Sequence, residues 1–182
     1  MADGILKVGQ IQTSSGSGTI TLGQSGETVN IPSGTTVSGA GANTPNFLVQ
    51  SNGSAQSLSH GSHTKFVNWG IPSIDTASNW DSGNSRYVFD TAGKYLVQAS
   101  LYFEIAVFDK RLQMSVRKNG SPHILSTVSS GKNNSANVGY MNEYAVSDYL
   151  EIFGYQDQSS GSINMGTEAV MTFLSITKII GA

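Results

Sequence analysis

Twelve consecutive residues, Lys94–Ile105, constrain this chain more than any other stretch. Tyr95, Val97, Ala99, Leu101, Phe103 and Ile105 fall on one face, and Gln98, Ser100 and Glu104 on the other. A period of two residues belongs to a β-strand, and a strand with one apolar face needs a second layer against which to bury it. Arg111–Lys118 repeats the pattern, with Leu112, Met114 and Val116 pointing in and Arg111, Gln113, Ser115 and Arg117 pointing out. Further strands are predicted at Phe47–Gln50, Lys65–Trp69, Arg86–Phe89, His123–Val128, Asn137–Val146, Tyr149–Gln156 and Ala169–Ile179. Strands at this spacing describe an all-β sandwich or barrel.

Composition agrees. Charged residues make up 12% of the 182, while Ser reaches 27 and Gly 21. Hydroxyls, amides and backbone must therefore solvate much of the surface, and the Ala, Leu, Glu and Lys runs of helices are missing. A net charge of −2 without a basic stripe leaves no footprint for nucleic acid. No apolar run is long enough to insert as a membrane helix. The absence of cysteine excludes disulfides and thiolate metal sites. Met1-Ala2-Asp3-Gly4 has neither the positive start nor the apolar core of an export signal. A charge-poor β-protein suited to exposure, with no such signal, fits a particle component made in a host cytoplasm and released by lysis.

The first forty residues differ from the rest. A unit recurs as Thr19-Ile20-Thr21-Leu22, Thr28-Val29-Asn30-Ile31 and, more loosely, Thr35-Thr36-Val37, punctuated by Gly23, Ser25-Gly26 and Pro32-Ser33-Gly34. The strip has an apolar face, Ile20, Leu22, Val29, Ile31 and Val37, but no second layer. A lone ribbon of this kind is marginal in water. Copies wound round one axis would bury those faces against each other, so residues 1–44 are expected to form a β-rich stalk, attachment segment and hinge. Residues 45–182 are expected to form the head.

Connection lengths place the loops. Asp90–Gly93, Asn119-Gly120 and Ser147-Asp148 are tight, whereas Thr76–Ser85, Ser129–Ala136 and Asp157–Gly166 are long and polar. In an antiparallel array successive connections alternate between ends, which puts the long loops together at the tip, where recognition is favoured. Candidate ligand residues there are Asn79, Trp80, Asp81 and Asn84, with Lys132, Asn133 and Asn134 on the second loop and Gln156, Asp157 and Gln158 on the third. Trp80 either stacks on a sugar ring or folds back onto the sandwich as a plug.

The chain offers little for catalysis. Neither a G-x-S-x-G elbow nor a phosphate-cradling G-x-x-x-x-G-K-[ST] occurs. His60 and His63 have H-x-x-H spacing but sit in a Gly/Ser loop without a third ligand. Asp75/Asp81 and Asp148/Glu151 are the available carboxylate pairs for glycosidase work, and turn and strand positions account for the second. No enzyme activity, cofactor or metal is expected.

Four blocks carry a resemblance: Ala92-Gly93-Lys94-Tyr95-Leu96-Val97-Gln98-Ala99-Ser100-Leu101-Tyr102-Phe103, Val116-Arg117-Lys118-Asn119-Gly120, Tyr144–Ile152 continuing to Gln156, and Met171–Ile179. In this order they resemble the tumour-necrosis-factor-like jelly roll, in its complement globular-head branch. Tyr144 stands where that pattern has Leu, Ser147 where it has Gly, and the last block lacks its Gly. The resemblance implies a ten-stranded jelly roll assembled as a compact homotrimer. Tyr149, Phe153 and Tyr155, which share one face, would then lie either between subunits or in the intrachain core. The N-terminal segment resembles leaders of virion proteins from cyanobacteria-infecting phages. Together these imply a homotrimeric phage fibre, docked through its N-terminus on particle proteins, with a head meeting a host-surface glycan or protein. A bacterial extracellular adhesin and a decoration protein without ligand are the other readings.

Overall fold

The computed structural model describes Thr28, Asn30 and residues 44–105, 110–128, 134–158 and 161–179. The apolar stalk positions Ile20, Leu22, Val29, Ile31 and Val37, and the loop residues Lys132 and Asn133, lie outside the described residues.

Among the described residues thirteen strands follow one another: β1 (Asn46–Gln50), β2 (Gln56–Ser59), β3 (Thr64–Lys65), β4 (Ile74–Asp75), β5 (Trp80–Asp81), β6 (Arg86–Val88), β7 (Gly93–Glu104), β8 (Leu112–Lys118), β9 (Ser121–Val128), β10 (Asn134–Tyr144), β11 (Tyr149–Gln156), β12 (Ser162–Met165) and β13 (Phe173–Lys178). One 3-10 turn, Ala169–Met171, separates the last two. In the first sheet the neighbours are β4, β1, β13, β7 and β10, with β2 paired to β12 and β12 to the end of β7. In the second they are β5, β6, β11, β8 and β9, with β3 also on β11. The chain changes sheet between β2 and β3, β3 and β4, β4 and β5, β6 and β7, β7 and β8, β9 and β10, β10 and β11, and β11 and β12. The protein is an all-β jelly-roll sandwich.

Alternation decides what lies between the sheets. Tyr95, Val97, Ala99, Leu101 and Phe103 of β7 meet Leu112, Met114 and Val116 of β8 and Leu150 and Ile152 of β11 in one buried cluster. Each such large side chain contributes roughly 1.5–3 kcal/mol by leaving water. Gly166 closes the layer after β12, at φ +77° and pressed so closely on the Phe66 ring that no Cβ fits.

Several elements differ from expectation. The strand predicted over Lys65–Trp69 shrinks to β3 and a single bridge from Trp69 to Ser51, because Trp69 N–H turns back to the Val67 carbonyl. The closing strand begins only at Phe173, after the 3-10 turn. Strands β2 and β12, read as loop from their polar sequences, pair with one another over four residues.

The three tight connections do meet at one end. Asn119 and Gly120 take φ +52° and +79°, the two positive values that a two-residue hairpin of this hand needs. Asn119 Nδ2 donates to Asp148 Oδ1 at 2.7 Å, and Ser147 N–H reaches the Phe89 carbonyl at 2.7 Å. Ser147 itself sits at φ +70°, a conformation that disfavours any side chain. Ser147→Gly should therefore raise stability by about 0.5–1 kcal/mol, read as a rise of roughly 2–4 °C in Tm.

Asp148 is the electrostatic knot of this end. The Lys118 ammonium at 2.8 Å and the Asn119 amide hold its carboxyl down to about 2. A carboxylate depressed in the fold stabilises it fully above the ordinary value near 4, and this contribution is lost as pH falls from about 4 toward 2. Thermal melts across that window should show a steep decline, and Asp148→Asn should flatten it.

Candidate functional site

The long loops do not all share one end. Asn79 Nδ2 donates to Asp90 Oδ1 at 2.9 Å and to the Tyr87 hydroxyl at 3.1 Å, which fixes the Thr76–Ser85 connection beside the tight turns. The strands β4 and β5, two residues each, intervene before β6 and reset the alternation of ends. Asn134 and Asp157 belong to the other end, where β10 begins opposite Phe103 and β11 finishes opposite Leu112. The structure thus brings Asn79, Trp80, Asp81 and Asn84 together, and it places Asn134, Asp157 and Gln158 elsewhere.

Within the first group the polar atoms are already engaged. Asp81 Oδ2 receives Arg86 Nε at 2.9 Å and Asn84 Nδ2 at 2.8 Å, closing a hairpin on itself. Asn79 is buried. Trp80 is the plug: its ring stacks on Phe47 with centroids 5.4 Å apart, and it meets Trp69 edge-on at 6.0 Å. What remains of it lines a hollow of about 420 Å³ with Gly70, Ile71, Pro72, Asp75 and Ser82. Asp75 uses both carboxylate oxygens on the N–H groups of Asn79 and Trp80, so it supports this wall of the hollow.

At the other end, Gln156 is structural rather than exposed. Its fully buried amide donates to the Leu58 and Gly161 carbonyls and accepts from Gln158 N–H at 2.8 Å. Asp157 accepts from the Arg111 backbone N–H at 2.6 Å and pairs with its guanidinium at 3.3 Å. Among the described residues no cluster of His and carboxylates is arranged to hold a metal. His60 donates its backbone N–H to Gly161, while His63 lies over the Tyr155 ring at 4.6 Å.

Tyr149, Phe153 and Tyr155 share a face, as alternation requires, and that face is the outside of the second sheet. Each ring carries a guanidinium: Arg86 over Tyr149 at 4.6 Å, Arg117 over Phe153 at 3.9 Å and Arg111 over Tyr155 at 4.8 Å. These are the three arginines of the chain, and all of them lie on one strand's aromatic face. The rings are half-buried under these cations and do not enter the intrachain core. Sequence reasoning saw the rings but not their partners, which come from distant positions.

The outside of the first sheet is the contrasting surface. Leu96 of β7 lies opposite Met141 of β10, and Leu48 of β1 opposite Ile74 of β4. Met141 is 71% exposed, Ile74 44% and Leu96 37%. Between these pairs the outward positions are Gln98, Gly139, Ser175 and Thr177, none of them charged. The half-buried Phe173 and the exposed Val170 and Met171 extend the surface toward the far end. Charge returns only at the margins, with Lys94 and Glu143 flanking a hollow of about 370 Å³ that Met141 also lines.

No family model and no curated protein matches the sequence. Solved structures do match in fold. Eiger TNF from S. frugiperda superposes with a TM-score of 0.59 at 15% identity, covering 75% of this chain and 93% of that one. Murine APRIL at pH 5.0 gives 0.58 at 14% identity, covering 74% and 98%. The globular domain of zebrafish complement 1qA protein gives 0.52 at 12% identity, covering 74% and 96%. At these identities the likeness is one of fold, and the head is a TNF-like jelly roll.

Because Trp80 packs as a plug, its removal is felt in stability. Trp80→Ala should cost about 2–4 kcal/mol in urea unfolding, since Phe47 and Trp69 lose their packing partner.

Proposed function

We propose that this chain is a homotrimeric fibre protein of a phage particle, with residues 1–44 as stalk and attachment segment and residues 45–182 as a head that contacts the host surface. The observation that carries the reading is the uncharged outer face of the first sheet. A soluble single copy has little reason to keep Leu96, Met141 and Ile74 exposed beside the half-buried Leu48 in a chain so poor in charge, and contiguous apolar patches mark contact surfaces. Packing that face against neighbouring copies would cover it, and a stable interface buries roughly 800 Å² per partner. The TNF-like fold supports the same arrangement, because the resemblance implies a homotrimer. The threefold repeat of an N-terminal apolar strip then has a use, since three stalks side by side bury what one leaves open.

In this assembly the stacked aromatic and arginine face of the second sheet points outward, away from the axis. The N-terminal resemblance to phage leaders supplies the particle, and the paucity of charge and the absence of cysteine suit an exposed fibre. Residence on the virion, after assembly in the host cytoplasm, is part of the proposal.

Light scattering should give three copies for the full chain and for a chain beginning at Pro45. Leu96→Glu, which puts a charge in the middle of the face, should yield folded single copies. The protein should also copurify with assembled particles. A stable single-copy head from the parent sequence would remove the trimer, and an adhesin would be favoured by secretion without particles.

A further inference from the structure

On the outside of the second sheet the ion pairs among the described residues leave Arg117 without a carboxylate. Arg86 pairs with Asp81, Arg111 with Asp157 and Lys65 with Glu151. Among the described residues no carboxylate pairs with Arg117. Glu151 lies opposite it in register but turns to Lys65 at 2.7 Å. Arg117 instead lies over Phe153 at 3.9 Å, and its Nη1 donates only a long bond, 3.5 Å, to the Gly120 carbonyl. Its Nε is shut off from solvent without a partner, and so is the Oγ of Ser115, two residues earlier on the same face. Alongside, Arg111 and His63 both lie against Tyr155, two residues from Phe153 and so about 7 Å along the strand.

A guanidinium stacked on a ring keeps its in-plane Nη donors at its edge, where two of them can meet a carboxylate. The chain as a whole carries −2, so a local excess of positive charge here is a property of the site and not of the surface at large. We propose that this patch binds the carboxylate of an acidic sugar, with Arg117 taking the carboxylate and the His63–Tyr155 pair bordering the ring. A sugar suits the surface better than an acidic peptide does. Strands β8 and β11 are each paired on both sides, so an extended peptide would find no free backbone edge, whereas sugar hydroxyls remain in water.

His63 reports on the site. Burial, then the Arg117 and Arg111 charges, lower its pKa below the ordinary imidazole value. The charged and titratable groups bordering it are Arg111, just before β8, Arg117 from β8 and Tyr155 from β11, with Asp157 turned to Arg111. An anion bound beside it would restore its basicity.

The full chain should be titrated with sodium glucuronate, glucose and sodium chloride at matched ionic strength, following the His63 ring protons by NMR and heat by calorimetry. Saturable binding of glucuronate with an upward His63 pKa shift, no response to glucose, and about a tenfold weakening in Arg117→Gln are expected. Arg117→Lys keeps charge and stem but loses the fork, and it should weaken binding as well if the glutamine variant does not fold. Equal responses to glucuronate and chloride, undiminished binding in a folded Arg117 variant, or equal binding of poly-glutamate would overturn the assignment.

Discussion

The two-residue period of β7 is the constraint on which the rest of the head depends. This strand pairs with β10 along one edge and with β13 and β12 along the other, so it lies in the middle of the first sheet. Its inward half, from Tyr95 to Phe103, supplies much of the buried layer. Its outward half, Leu96, Gln98 and Ser100, sets the character of the uncharged outer face. A shift of one residue would exchange the two faces, moving Leu96 and Gln98 inward and five core side chains into water. Core formation and the proposed self-association are therefore two consequences of one alternation.

The two sheets then divide the work. The outside of the first is apolar and uncharged at its centre, which suits a permanent contact. The outside of the second is built from guanidinium groups laid on rings, which stay wet at their edges and suit recognition of charged groups. This division follows from side-chain chemistry: Leu and Met gain by leaving water, while stacked Arg gains from a ring without giving up all of its donors.

Much of this was legible in the residues. The all-β class, the jelly-roll resemblance, the inward sets of β7 and β8, and the Asn119-Gly120 hairpin could each be read from spacing or motif, because each is a local property. Strands β2 and β12 could not, since Leu58 is the lone apolar inward residue of the first, and the second alternates only over Ile163 and Met165, too short a run to stand out. The end at which Trp80 lies was misplaced for a similar reason: β4 and β5 are too short to announce themselves, yet they change the parity of every argument about loop ends. On β11 both faces carry apolar groups, with Leu150 and Ile152 on one and Tyr149, Phe153 and Tyr155 on the other. Periodicity shows that the faces differ but not which is inside. That was decided by arginines at positions 86, 111 and 117, whose proximity only the fold creates.

Met141 offers the most direct test of the central claim that the first sheet's outer face is covered by other copies. Its side chain is largely exposed in the single chain, while Met114 and Met165 are buried in the core. Dilute peroxide and peptide mapping would give its oxidation rate in the native full-length protein, relative to free methionine in the same solution. The account predicts strong protection at Met141, approaching that of the core methionines. Oxidation of Met141 at the rate of free methionine would contradict it.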